Sequence, residues 1–418
     1  MSSLGLRQRL SLFVRAYKDL PTPIYALVLA KTLSALGAFV DPFLTLLLSV
    51  HVGLPATQIG WIIGSLGLFS IIGSVVGGEY SDRYSHRVVL LTGTAIAGSS
   101  YLVAGFFADS LYVLPWIALS NVGIGMMRPA SSAITAEITP KAKRQLSFSL
   151  IHMGINLGFA LGPLIASLFV HTHPNWIFWG DGITTLGGLC IVTWGTRNLV
   201  YLSSQDNSPE EQPMQGSIFL VLRKRPKILL YMLGSVLFSL SYGQVNFSLP
   251  LSLESAIGTD GSRFFGIAMA TNGFFVLLWT PIVASMLYVR PMWALATTGL
   301  LYAISFSSYY FIPDIVALFA DPERYALLAL IVISTIVWTA GEVITVSFGN
   351  VFLANESPSS HRGRINSSMM VVGQIARFIT PVVMGYVIDG YGVDTVWLIA
   401  GVSGILAAVT FAWGKLKL

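Results

Sequence analysis

Gly77-Gly78-Glu79-Tyr80-Ser81-Asp82-Arg83-Tyr84-Ser85-His86-Arg87-Val88-Val89-Leu90 is the stretch that decides the fold. A long apolar run lies on either side of it. Charge set this close to a bilayer is costly unless it is paired or reaches headgroup water. The glycines permit close helix packing, and Asp82, Arg83 and Arg87 crowd charge into a turn that two membrane helices would otherwise keep short. The stretch therefore reads as a latch between helices, not as a spacer.

Outward from this turn, apolar runs recur along the whole chain. About 20 apolar residues cross a bilayer, and twelve runs of that kind can be drawn: 23–50, 57–79, 88–108, 112–136, 146–170, 176–197, 228–252, 264–288, 292–312, 325–351, 365–388 and 393–414. Of the 418 residues 54% are hydrophobic and 10% charged, against about 25% charged in soluble domains. A soluble enzyme is excluded on that ground. The net charge of +5 does not point to nucleic acid, because of where it lies. With the N-terminus inside, 19 of the 24 Lys and Arg residues fall in internal segments, while outside loops hold only Arg263 and Arg324. This is the positive-inside pattern, and it places both termini in the cytoplasm of a multi-pass cell-membrane protein. Leu4 to Tyr17 reads as a basic amphipathic segment lying along the inner membrane surface, with no cleavable signal. Cys190 is the single cysteine, so no intramolecular disulfide can form. No phosphate-cradling loop, nucleophile–base pair or His/Cys cluster is present, which argues against ATP hydrolysis, enzyme chemistry, a cofactor and a bound metal.

Residues 201–216 read as a linker, followed by the basic cluster Arg223 to Lys227. The chain divides into a six-helix bundle over 1–200, a cytoplasmic linker over 201–226 and a second six-helix bundle over 227–418. The halves are internally related. A shift of 218 takes Gly123 to Gly341, Ala136 to Ala354, Pro140 to Pro358, Arg144 to Arg362, Ser149 to Ser367 and Pro163 to Pro381. Parallel repeats of this kind mark transporters, with substrate bound near mid-membrane at the repeat interface. The expected fold is all-α, with 12 transmembrane helices in two pseudo-symmetric bundles around a central cavity.

On these residues the chain resembles the major facilitator superfamily over essentially its whole length. Gly78, Asp82, Arg83 and Arg87 match that family's motif between the second and third spans, with Ser85 and His86 in place of a glycine and a basic residue. The resemblance implies that Asp82 pairs near the start of the eleventh span, holding the cytoplasmic side shut, and that Arg87 meets Glu137 in a charge relay. Gly158, Gly162 and Pro163 match part of the antiporter motif of the fifth span, which is associated with proton-driven export. The arginine expected in the fourth span is replaced by Leu119. Arg128, in Gly123-Ile-Gly-Met-Met-Arg-Pro129, stands further along and is similar in setting to the lysine of proton-coupled peptide transporters. The acidic signature of those peptide transporters in the first span is missing.

Each ionisable group inside a span costs at least about 2.5–3.5 kcal/mol and needs a reason. In this architecture the first, fourth, seventh and tenth spans line the cavity. Each carries a polar feature: Asp41, Arg128, the group Tyr242, Gln244 and Asn246, and Glu342. Glu342 lies roughly 17 residues into the tenth span, where desolvation favours the neutral carboxyl and suits it to exchange a proton near neutral pH. The competing reading is a structural hydrogen bond between helices. Asp41 precedes Pro42, which interrupts the first span; it is either a second proton site or a solvated mouth residue. Arg128 cannot lose its charge, so it needs an anion, from the substrate or from the chain's own acids. Gln374 and Arg377, one turn apart, are further substrate candidates. Lys31 reads as snorkelling, and Asp181 as capping its own helix. The pattern points to an antiporter exporting a small amphiphilic or zwitterionic molecule, a drug or metabolite. A metallophore exporter, an uptake symporter and a non-transporting membrane sensor are the alternatives. A small-molecule substrate, protons and membrane lipids are its partners, and a monomer is the expected state.

Overall fold

The structure is a computed structural model that describes residues 17–197, 225–286, 290–319, 324–357 and 362–417. Most of the expected linker, 201–224, and the amphipathic segment up to residue 16 lie outside the described residues. The first span is split into α1 (Thr22–Leu36) and α2 (Val40–Val50). It is followed by α3 (Ala56–Arg83), α4 (His86–Ala104), α5 (Val113–Ile138), α6 (Arg144–Ala166) and α7 (Pro174–Gly195). The second half holds α8 (Pro226–Tyr242), α9 (Gln244–Ile257), α10 (Asp260–Ser285), α11 (Pro291–Ser308) and the short α12 (Ile312–Leu318). It ends with α13 (Tyr325–Glu356), α14 (Arg362–Tyr391) and α15 (Thr395–Lys417). Among the described residues there is no strand. Among the described residues eleven segments are long and apolar enough to cross a membrane, and α5, of 26 residues, carries Arg128 and Glu137 and falls outside that set. Large apolar side chains such as Val75, Ile304 and Met370 stay more than 60% exposed. That exposure suits contact with lipid rather than water.

Local chemistry sets the helix ends. Pro174, Pro226 and Pro291 each open a helix, where the missing N–H costs nothing and the fixed φ is already helical. Gly258, at φ 64°, ends α9 in a conformation that glycine alone reaches without strain. The first span breaks at residues 37–39, not at Pro42. Pro42 falls in the first turn of α2, a place proline tolerates. Gly37 makes the break, packed so tightly on α7 that an added Cβ would overlap Thr184. Asp181 of α7 then accepts a hydrogen bond from the Val40 N–H at 3.3 Å, capping the restarted α2 rather than the start of its own helix. The seventh span breaks at Gly243, 206 residues after Gly37. The first span of each half is thus broken, at an offset of 206 residues where the later spans keep 218.

The chain forms two compact units. The first holds Met1–Val40, Leu68–Gly162 and His173–Asp206, and the second Asp41–Gly67, Pro163–Thr172 and Asn207–Leu418. The first unit packs around Leu27, Ala30, Leu90, Met126, Ala130 and Ile134. Small residues seat its helices. Gly123 rests on α4 at Gly93 and Ala97, and Gly125 on α3 at Ser70 and Gly73, so two neighbours meet α5 through one Gly-x-Gly. With no hydrophobic force between helices in lipid, such close van der Waals seats are what holds a bundle together. The second unit is centred on aromatic rings: Phe238, Tyr302, Phe306, Tyr309, Trp338 and Trp397. Their polar tips are satisfied, since the Trp338 indole donates to the Tyr309 hydroxyl at 3.2 Å and that of Trp397 to Ser252 at 3.2 Å.

Candidate functional site

Glu342 anchors the site in the second unit. It sits deep in the 32-residue α13, half-buried, in a run with no other acid until Glu356. Its Oε2 accepts a hydrogen bond from Asn272 Nδ2 of α10 at 2.8 Å. The same amide donates to Thr339 Oγ1 at 3.1 Å, and that hydroxyl donates in turn to the Thr335 carbonyl at 2.6 Å. The Tyr242 phenol, from the end of α8, faces the same carboxyl. Its ring is held between Trp338, edge-on at 5.7 Å, and Tyr302 at 6.1 Å. Tyr302 itself packs on Gly341. The carboxyl is thus fixed by neutral donors. An amide and a phenol hold it, and the Thr339 hydroxyl positions the amide.

Arg377 lies near enough to Tyr242 for its charge to act on the phenol. The backbone agrees, because Gly243 is seated against Thr380, one turn from Arg377 on α14. Gln374 is half-buried one turn before Arg377. Gln244 does not join the group. It is fully buried, with Nε2 donating to the Leu240 carbonyl at 2.8 Å and Oε1 accepting from Ser248 at 2.6 Å, so its polar atoms tie α8 to α9. Asn246 is exposed and its carbonyl accepts from Thr45 at 2.9 Å. Asp41 is exposed in the first turn of α2, where a carboxylate suits the positive end of the helix. Asn272 and Thr339 are the members that the search for charges missed. Asn272 interrupts an apolar run as part of Thr271-Asn272-Gly273, which was the available signal.

In the first unit Arg128 is exposed on α5, and Lys31 of α1 is half-buried within electrostatic range of it. The packing of Leu27 and Ala30 against Met126 and Ala130 brings those helices together. Lys31 does not stand alone as a snorkelling residue; it shares its surroundings with a second cation. Two cations so placed attract an anion. No group of His, Cys, Asp and Glu among the described residues could hold a metal ion.

The charged turn is built differently from the expected relay. Glu137 pairs with His86, Nδ1 to Oε1 at 3.0 Å, not with Arg87. Arg87 is the next residue on α4 and so points about 100° away. It donates from Nε to Thr196 Oγ1 at 2.9 Å and from Nη2 to the Thr193 carbonyl at 3.2 Å, at the end of α7. Ser85 needs no glycine conformation: its backbone is extended and its hydroxyl caps α4 by accepting from the Val88 N–H at 3.2 Å. Arg83 pairs with Glu79 along its own helix at 2.6 Å. Gly77 is the glycine packed on α5, against Met126, while Gly78 faces open space. The side chains of Asp82 and Arg362 lie outside the described residues. On α6 the glycine series is a real seam. A Cβ at Gly158 would stand 2.6 Å from the Leu36 nitrogen and the Thr32 carbonyl oxygen of α1, and one at Gly162 2.7 Å from the Leu36 carbonyl oxygen. Gly154, one turn earlier, meets Thr32 in the same way. Pro163 follows inside α6.

Comparison with known proteins bears on the family and the fold. The model of the Major Facilitator Superfamily matches residues 27–379. YqjV, an uncharacterised transporter of that type from Bacillus subtilis (strain 168), is 23% identical over 97% of both chains. A Na(+), Li(+), K(+)/H(+) antiporter from Planococcus maritimus is 21% identical over 90% of this chain and 91% of its own. Multidrug resistance protein MdtH from Yersinia enterocolitica is 24% identical over 57% and 58%. Among solved structures, an auto-inhibited peptide transporter of the POT family shares the fold with a TM-score of 0.76 at 13% identity, over 95% of this chain and 97% of its own. The nucleoside transporter NupG does so with 0.73 at 15%, over 94% and 99%. From the family match along most of its length, with the fold to go with it, the chain belongs to the Major Facilitator Superfamily: it is a multi-pass membrane transporter and not an enzyme.

Proposed function

We propose that the protein is a proton-coupled secondary transporter of the cell membrane, an antiporter that exports a small amphiphilic or zwitterionic organic molecule by alternating access. The observation that carries this reading is the Glu342 carboxyl, held deep in α13 by the Asn272 amide with the Tyr242 phenol facing it. A carboxyl held by neutral donors can take up and release a proton without breaking an ion pair. Arg128 with Lys31 supplies attraction for an anionic end of the substrate, and Gln374 and Arg377 supply polar contacts near Tyr242. The antiporter name of the Planococcus maritimus relative and the multidrug name of MdtH support the class. Twelve spans in two bundles, cytoplasmic termini and a monomeric state complete the proposal.

A thermal-shift screen of drugs, amino acids, organic acids and metallophores on the purified protein identifies a ligand, and Arg128→Ala removes the shift by the anionic or zwitterionic ones. In proteoliposomes with an internal pH dye, that ligand moves protons through the wild type. Glu342→Gln abolishes the proton movement while exchange of labelled for unlabelled ligand persists. Proton movement undiminished by Glu342→Gln would sink the reading. The Planococcus maritimus relative favours a second one, exchange of Na+ or K+ for protons. There, salt alone discharges the pH gradient with no organic ligand present.

A further inference from the structure

In the second unit the first three turns of α3 run along the last turns of α14. Glycines set the distance: a Cβ at Gly60 would stand 2.2 Å from the Pro381 carbonyl oxygen, and one at Gly385 2.5 Å from that of Ala56. Trp61 lies edge-on to Phe378 at 5.7 Å, and its indole reaches the Tyr386 hydroxyl at 3.4 Å. At the end of this seam stands Asp389. Its Oδ1 accepts from the Ala56 N–H at 3.0 Å and its Oδ2 from the Thr57 N–H at 2.8 Å. These are the opening N–H groups of α3, which have no partner inside their own helix.

The position of Asp389 makes the contact more than a chance cap. It is in the last turn of α14, which ends at Tyr391. A helix carries partial negative charge at that end, so a carboxylate there is disfavoured by its own helix. The N-terminus of α3 reverses the sign and supplies two aligned donors. Asp389 is therefore well placed only while α3 is docked.

A second crossing in the same unit repeats this one. Gly266 of α10 sits on the Pro163 carbonyl oxygen, 3.1 Å from an added Cβ, and Ser262 donates to the Ser167 carbonyl at 3.2 Å. The two prolines are 218 residues apart and the two glycines 206, so the crossings are copies of a single contact. Their ends differ. In the copy, His171 and Glu254 lie 3.2 Å apart, at ion-pair distance. Only the α3 crossing ends in a carboxylate on two backbone donors.

We propose that Asp389 is a gating residue of transport, a latch that holds the α3–α14 crossing closed and must let go of the Ala56 and Thr57 N–H groups in every cycle. By the positive-inside reading this crossing is on the outer face, opposite the charged turn at Asp82. The inference goes beyond the proposed substrate and coupling, and needs neither to be correct.

The test is labelling of a cysteine buried at the seam. Val382→Cys, placed beside Gly60 in a Cys190→Ser background, is exposed to a membrane-impermeant maleimide in intact cells. With Asp389 present, labelling is slow. Asp389→Ala speeds it roughly fivefold, the change that one helix cap of about 1 kcal/mol makes to an opening equilibrium. Asp389→Asn, which keeps the shape and one acceptor, falls between and carries the test if the alanine variant does not fold. Gly60→Leu, which forces the crossing apart, shows that the reporter sees opening. Rates unchanged in both Asp389 variants overturn the proposal and leave the contact a static cap.

Discussion

At the scale of single residues, the sequence showed Glu342 and hid what holds it. A carboxylate in an apolar run stands out because its burial is expensive. Asn272 costs less to bury and leaves a weaker mark, yet it makes the 2.8 Å contact that positions the acid. Losing a hydrogen bond to a charged group costs about 1.5–3 kcal/mol. Asn272→Leu is expected to lower the melting temperature of the purified protein and to slow proton-coupled exchange. Asn272→Ser, which keeps a donor at shorter reach, recovers part of both. A variant equal to wild type in both measurements would make Asn272 a bystander. The Arg87–Glu137 pairing failed for a geometric reason. Position in a motif says which residues gather in a turn, but neighbouring residues on a helix point in different directions, and His86 is the one that faces Glu137.

Among the elements, the all-helical character was legible, because an apolar run long enough to cross a bilayer has few other ways to satisfy its backbone; the α5 run, with Arg128 and Glu137, is the one that falls outside the spanning set. Break points were harder to read. Proline was the visible breaker, yet Pro42 sits harmlessly in a first turn and Gly37 makes the break, since its effect depends on Thr184 of another helix. In the sequence Gly158, Gly162 and Pro163 read only as part of an antiporter motif; that Gly158 and Gly162 seat α6 on α1, with Gly154 extending the seam by a turn, depends on the partner helix. Because backbone atoms lie 2.6 Å from a Cβ at Gly158, even alanine forces the helices to move. Gly158→Ala is expected to destabilise the purified protein by about 1–3 kcal/mol. The same change at Gly78, which meets open space, leaves its melting temperature within a degree or so. Equal effects at the two sites would mean that the seam is not a close contact.

For the whole molecule, the distribution of basic residues is the strongest statement the sequence makes. If 19 of 24 lie inside, alkaline phosphatase fused after Leu418 stays inactive and green fluorescent protein fused there is bright. The reverse result would invert the orientation. Substrate was not legible, since a binding surface is assembled from isolated polar residues on several helices. Three helices cross from one unit to the other, and they do so unlike one another. The first span is broken at the crossing, between α1 and α2, and α6 changes unit at Pro163. The 28 residues of α3 pass from 56–67 in the second unit to 68–83 in the first with no proline and no break. The three links thus differ in kind, and α3 is one continuous helix about 42 Å long. Because its backbone ladder runs unbroken from Ala56 to Arg83, a proline introduced at the middle of α3 falls on both units at once.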